Sequence, residues 1–285
     1  MGARWDSDRQ PRRRSSLGRV PAAALVGLAL LFAAPLYPAS NPATVEDVLG
    51  ALATPGPTSR FDSAELAARA AAAAAALTRP PDPVGEGRSA ARRLPPPADS
   101  LTGYAWPLQN ARLTLPFEAT KWGSRIVNGE PFHDGIDLAT HCGDRITAAH
   151  AGVVLAAGRR YDVFTGWLGD LGAYTARLDE KKLWSTLPIV VVIDDGNDYR
   201  SMYAHFGKIV VAVGDVVEAG DLLGYEGRTG RATGCHLHYG LFSPYETAVF
   251  GMDPTAAEHM LLPTEMIARV DPLRVLPPLE AAGIH

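Results

Sequence analysis

The chain has 285 residues, of which 31 are acidic and 27 basic, giving a formal net charge of −4 and a pI near 6.1. No basic patch interleaved with aromatics appears, so the charge balance gives no reason to invoke nucleic acid. The length exceeds one average domain, and 23 prolines with 28 glycines predict that much of the excess is linker around one main domain.

In chain order, Arg4, Arg9, Arg12, Arg13, Arg14 and Arg19 precede an apolar run from Val20 to Tyr37. A charged start followed by about 18 apolar residues directs a chain across a membrane, as a cleaved signal or an uncleaved anchor. Tyr37-Pro38-Ala39 is a poor cleavage site, which favours the anchor. Arginines on its leading side would leave the rest of the chain outside the cytoplasm. Residues 1–38 are therefore assigned to a signal peptide or N-terminal membrane anchor. The bland rival, a buried helix of a cytosolic domain, lacks any following element able to cover it. Residues 39–103 read as an Ala/Pro-rich linker with a short helix over Phe61–Leu77, where alanines favour the helical state. Pro80, Pro81, Pro83 and the run Pro95 to Pro97 end that helix and hold the chain semi-extended.

From residue 104 the pattern changes. Arg145–Ala149, Val153–Ala157, Ile189–Ile193, Tyr199–Phe206, Ile209–Val213 and Leu222–Tyr225 are short, β-branched or alternating runs separated by Gly or Asp turns. No βαβ alternation is visible, so the fold class is mainly β, an antiparallel sheet. Residues 213–224 also resemble the hairpins of lipoyl and biotinyl carrier domains, but no lysine stands at the hairpin tip.

Three strings in this region carry chemistry: F-H-D-G-I-D-L with His133 and Asp137, M-Y-A-H-F with His205, and G-C-H-L-H-Y-G with His236 and His238. On extended chain, residues two or four apart share a face, which groups His133, Gly135 and Asp137, and likewise His236 and His238. Two imidazoles and a carboxylate supply the donors of a tetrahedral zinc site with a fourth position open to water. Two further histidines stand ready to move protons, and Gly135 leaves room between the first two ligands. Any one string is weak evidence; their conjunction is specific.

Together the strings resemble the LytM or lysostaphin-type zinc endopeptidases of the M23 family, whose signature is H-x-x-x-D, then Y-x-H on a strand, then H-x-H. All five positions are filled, and similar text runs through most of residues 104 to 275. The resemblance implies a LytM-type (duplicated hybrid motif) catalytic domain over 104–285. It implies Zn2+ on His133, Asp137 and His238, catalysis by His205 and His236, and hydrolysis of peptide bonds in peptidoglycan cross-links or stem peptides. One departure is Gly240, where that family usually has glutamate. His141, His150, His259 and His285 occupy no motif position and read as structural or solvent-facing, with His141 nearest the rim of the site.

Cys142 follows the first string and Cys235 directly precedes His236. If the strings meet at one metal, the two sulfurs come close, and in an exported protein a Cys142–Cys235 disulfide is expected. The rival is a pair of thiolate zinc ligands. Residues 159–188 are longer than the corresponding connection in most relatives and carry Tyr161, Phe164, Trp167, Tyr174 and Trp184. They read either as a flap beside a substrate groove or as a surface insertion packing its own aromatics. A second addition covers Ser243–Arg269. Two further functional classes compete: a non-catalytic envelope regulator that activates another wall hydrolase, opposed by the intact ligand set, and a structural zinc domain, for which two extra histidines would be superfluous.

Overall fold

The computed structural model of the chain describes residues 94–245 and 249–285. The N-terminal charged and apolar segment, most of the linker and the helix expected over Phe61–Leu77 lie outside them. Among the described residues no helix is long and apolar enough to cross a membrane. Residues 96–101 already pack on the domain: Tyr199 Oη donates to the Pro96 carbonyl at 2.8 Å, Ala98 is buried, and Asp99 pairs with Arg274.

In chain order the strands are β1 (Arg112–Leu115), β2 (Arg125–Val127), β3 (Glu130–Phe132), β4 (Ile136–Ala139), β5 (Arg145–Thr147), β6 (Gly152–Gly158), β7 (Val190–Asp194) and β8 (Arg200–Ala204). They continue as β9 (Lys208–Ile209), β10 (Val216–Val217), β11 (Leu222–Tyr225), β12 (Leu237–Phe242), β13 (Val249–Gly251), β14 (Glu265–Ile267) and β15 (Arg269–Val270). Two α-helices, α1 (Gly172–Glu180) and α2 (Pro254–Met260), lie between them. The main sheet runs β1-β4-β12-β8-β7-β6-β10, with β15 pairing the far end of β12, and every pairing is antiparallel. The predicted class, mainly antiparallel β, is what forms.

Both faces of this sheet are covered at β7, which explains why that strand reads as a continuous apolar run rather than an alternation. Val191 and Ile193 enter the larger core with Tyr203, Leu237, Tyr239, Ile136 and Leu138. The three-stranded sheet β5-β11-β9 closes that side through Ile146 and Leu223. Val190 and Val192 face the other way, joining Leu155, Met202, Ala204 and Phe242. His238 alternates with Leu237 and Tyr239, and Asp137 with Ile136 and Leu138, so both lie on this second face.

Residues 159–188 cover the β6-β7-β8 part of the second face. They are not irregular: 3-10 turns at Asp162–Phe164 and Leu183–Thr186 flank α1, which buries Tyr174 and Leu178 one turn apart. Tyr161, Phe164 and Leu168 pack on the sheet. Two buried arginines fasten the segment through its main chain, Arg200 to the Phe164 carbonyl at 3.0 Å and Arg269 to the Thr165 carbonyl at 2.6 Å. The second addition joins it, since Ile267 N donates to Gly166 O and Leu168 N to Glu265 O. That addition also completes a sheet of order β14-β13-β2-β3, in which Phe250 lies 5.5 Å from Phe132 and 6.0 Å from Phe117, ring to ring.

Candidate metal centre

His133 follows directly on β3, so the second sheet delivers it, whereas Asp137 stands within β4 and His238 within β12 of the main sheet. The expectation of one extended strand from His133 to Asp137 therefore gives way to a three-residue turn between two sheets. Asp134 anchors that turn. Its buried carboxylate takes Arg125 Nε at 2.9 Å and Arg269 Nε at 3.3 Å. Burial alone would raise its pKa, but Arg125, His238 and Arg269 hold it well below the carboxylate range. Gly135 serves differently from the expectation, since a Cβ there would strike the His238 ring rather than fill space between His133 and Asp137.

The three donors form a triangle. His133 Nε2, Asp137 Oδ1 and His238 Nδ1 are each 3.0 Å from the other two. His133 Nδ1 lies 2.9 Å from the Pro116 carbonyl and donates to it, which leaves its Nε2 lone pair aimed inward. A tetrahedral zinc bound at ordinary lengths puts its donors roughly 3.3 Å apart, so the set fits that ion closely. Three converging lone pairs repel unless a cation or protons sit among them. Burial favours a neutral His133, but the hydrogen bond and charge of Asp137 outweigh it and raise its pKa, while both histidines drive Asp137 far down against its own burial.

His205 and His236 flank the triangle. In a regular strand His205 would share the core-facing side with Tyr203, yet it lies just past β8 with φ of +72°. That left-handed turn, costing on the order of 1 kcal/mol, brings its ring to 4.6 Å from His236 and 6.3 Å from His238. Its Nδ1 is 2.7 Å from the Thr229 carbonyl. Burial and the neighbouring His238 and His236 press its pKa down to about 4, against the opposing hydrogen bond to Thr229. His236 holds the Gly234 carbonyl through Nδ1 at 3.1 Å and brings Nε2 to 3.7 Å from Asp137 Oδ2.

All five predicted residues thus meet, and the cysteines meet beside them. Cys142 and Cys235 form a disulfide, 5.4 Å apart at Cα and 93 residues apart in sequence. It ties the loop after β4 to the segment before β12. His150 and His259 are away from the cluster, while His141 and His285 line a groove along the same face of β4. Pro116 and Thr229 escaped the sequence reading because each acts through a main-chain carbonyl, which any residue carries. Arg125 and Arg269 left no signal either, being far from Asp134 or unpatterned in sequence.

A half-open metal site with two histidines beside it is equipment for metal-assisted hydrolysis. Residues 131–249, which include all five, match the model of peptidase family M23. Over 51 residues it is 51% identical to the peptidoglycan DD-endopeptidase ShyA of Vibrio cholerae, covering 18% of this chain and 12% of that protein. Over 168 residues it is 29% identical to the DD-carboxypeptidase/endopeptidase Mpg of Neisseria meningitidis, covering 58% of this chain and 30% of Mpg. The catalytic domain of the antimicrobial peptidase lysostaphin from Staphylococcus simulans is 26% identical, over 49% of this chain and 84% of that one, with a TM-score of 0.34. The chain thus spans 30% or less of the length of the two curated relatives.

Proposed function

We propose that this protein is a zinc-dependent endopeptidase that hydrolyses peptide bonds of peptidoglycan outside the cytoplasm. The observation that carries it is the triangle of 3.0 Å edges with two more histidines at its open side. The names of the relatives, a peptidoglycan DD-endopeptidase and a DD-carboxypeptidase/endopeptidase, support the substrate class. His133, Asp137 and His238 hold the ion, residues 104–285 with the packed residues 96–101 act as the catalytic domain, and the chain before them anchors or exports and tethers it. Zinc here supplies a Lewis acid that polarises the scissile carbonyl and brings the pKa of attacking water to about 7.

The chain's own residues handle the protons. With Nδ1 donated to Thr229, His205 presents Nε2 as an acceptor, and its low pKa keeps that atom unprotonated at neutral pH. A proton taken there is a strongly acidic one, readily passed to the leaving amine. His236, oriented by the Gly234 carbonyl, offers a second Nε2 across the site to hydrogen-bond the tetrahedral oxyanion once protonated.

The test is mass spectrometry of purified cross-linked peptidoglycan after incubation with zinc-loaded protein, chelator-treated protein and the His205→Ala variant. New peptide termini are expected only with the zinc-loaded wild type, with the variant slowed by about 10²–10⁴-fold while it still binds zinc. A folded, zinc-bound wild type that leaves every bond intact would sink the endopeptidase reading in favour of a regulator of another wall hydrolase.

A further inference from the structure

The second face of the main sheet continues past the triangle into an open groove of about 350 Å³, lined by Asn110, Arg112, Ala139, Thr140, His141 and His285. Strand register fixes how the groove relates to the site. Ala139 lies two residues beyond Asp137 on β4, so their side chains share a face. Arg112 stands directly opposite Ala139 and shares that face, whereas its neighbour Leu113 is opposite Leu138 and packs into the core. Thr114, on the same side as Arg112, hydrogen-bonds the Asp137 carbonyl at 3.1 Å. A chain seated at the triangle and running along β4 therefore reaches Arg112 after about 7 Å, the span of two extended residues.

Charge singles out one residue in the groove. The Arg112 side chain is exposed and has no ion-pair or hydrogen-bond partner among the described residues. The carboxylates that touch the lining residues are engaged by them, and the His285 oxygen takes Leu113 N at 2.9 Å. Asp144 accepts from His141 N at 3.0 Å, and Glu226 accepts from Thr140 N at 3.2 Å and Thr140 Oγ1 at 2.9 Å. The groove floor at Ala139 is small, so a peptide main chain can lie on it without obstruction. A permanently charged planar fork at the end of such a floor matches a carboxylate, which it binds bidentately.

We propose that Arg112 is a specificity residue that captures a free carboxylate of the substrate peptide about two residues from the scissile bond, with His141 and His285 bordering the subsite. The inference rests on the endopeptidase reading for the identity of the peptide and adds which chemical form of it is preferred. Peptides whose carboxylates are amidated lose the partner and keep everything else.

Two measurements keep the proposal separable from the reading beneath it. In the first, zinc-loaded full-length wild type and Arg112→Gln cleave a cross-linked muropeptide with free carboxylates and the same muropeptide amidated. The wild type is expected to favour the free acid by about tenfold in kcat/KM, expressed in KM, as one charge-assisted bidentate contact at a solvated site supplies. Arg112→Gln brings that ratio near one, and Arg112→Lys restores part of it. In the second, the same two muropeptides are titrated into His205→Ala and into His205→Ala/Arg112→Gln by calorimetry, which reads binding whether or not any bond is cut. A tenfold binding preference lost with Arg112 supports the subsite even if cleavage fails. Equal affinity of His205→Ala for the two forms, or a preference that survives Arg112→Gln, overturns it.

Discussion

A Cβ built on Gly135 would lie 2.5 Å from the Tyr239 carbonyl oxygen and 2.8–2.9 Å from Cε1 and Nε2 of His238. The carbonyl belongs to β12, whose ladder to β4 and β8 leaves it nowhere to go, so the ligand ring has to move instead. Gly135→Ala is therefore expected to weaken zinc binding by about tenfold or more, the scale on which ligand orientation acts, and to lower stability by roughly 1–3 kcal/mol through overpacking. Gly240, two residues past His238, is the internal control. A Cβ there meets Asp134 O, Met202 Cε and His238 Nε2 at 3.7–3.8 Å, which is ordinary contact. Gly240→Ala should bind zinc as the wild type does. Competition against a chelating indicator dye measures both, and equal affinities for the two variants would refute the steric account. Gly240 also shows that the departure from the family pattern leaves the triangle undisturbed.

The elements were legible in the sequence to very different degrees. Leu222–Tyr225 is the predicted strand residue for residue, and β6, β7 and β8 fall within the predicted runs to a residue or two, because short β-branched stretches between Gly and Asp turns have few other uses. The site was legible because five chemically unusual residues recur at fixed offsets, which pattern alone can reveal. What pattern could not show is that His133 arrives from a different sheet, or that the two additions are one structure. Both depend on pairings between residues distant in sequence, such as Trp167 with Met266 and Gly251 with Ile126. The merger bears on what residues 159–188 do. Tyr161, Phe164 and Leu168 cover Leu155, Val190, Val192 and Met202 on the site's own face, and the main chain is clamped by Arg200, Arg269 and β14. This is a fixed wall, with its remaining aromatics tied in place: Trp184 donates to Asp179 and lies under Arg160. Replacing 162–184 with a short Gly-Ser link would expose several large apolar side chains at roughly 1.5–3 kcal/mol for each one fully uncovered. A loss of more than about 3 kcal/mol is expected, or a melting temperature lower by at least roughly 6 °C. A variant that melts with the wild type would show the segment to be a dispensable cover.

At the scale of the whole molecule, one buried network joins the segment before β1, the β7–β8 hairpin and the centre of the main sheet. Tyr104 Oη and Ser201 Oγ both donate to Asp195 Oδ2 at 2.8 Å, Asn197 reaches Tyr104 Oη at 3.2 Å, and Ser201 Oγ lies 3.2 Å from Tyr239 Oη. Asp195 Oδ1 has no partner among the described residues. Burial is the main cause that pushes the Asp195 carboxyl up, to about 8; the hydrogen bonds from Tyr104 and Ser201 oppose it and the nearby Asp194 charge adds to it. An unfolded chain releases this proton near pH 4. Between about pH 4 and pH 8 the folded state therefore holds one proton more than the unfolded state, and this group's contribution to stability falls as pH rises, by up to about 1.4 kcal/mol per pH unit. That contribution is complete below pH 4 and gone above the folded value. Other carboxylates tilt the total the other way, Asp134 among them, since its depressed pKa stabilises the fold at neutral pH and fails in acid. Comparison with Asp195→Asn removes them, because the variant shares every other group. The stability advantage of wild type over Asp195→Asn should shrink steadily from pH 5 to pH 8 and level off by pH 9, as read from urea unfolding at each pH. A difference that stays constant over that range would mean the carboxyl is already ionised in the fold, and that Tyr104 and Ser201 alone carry its charge.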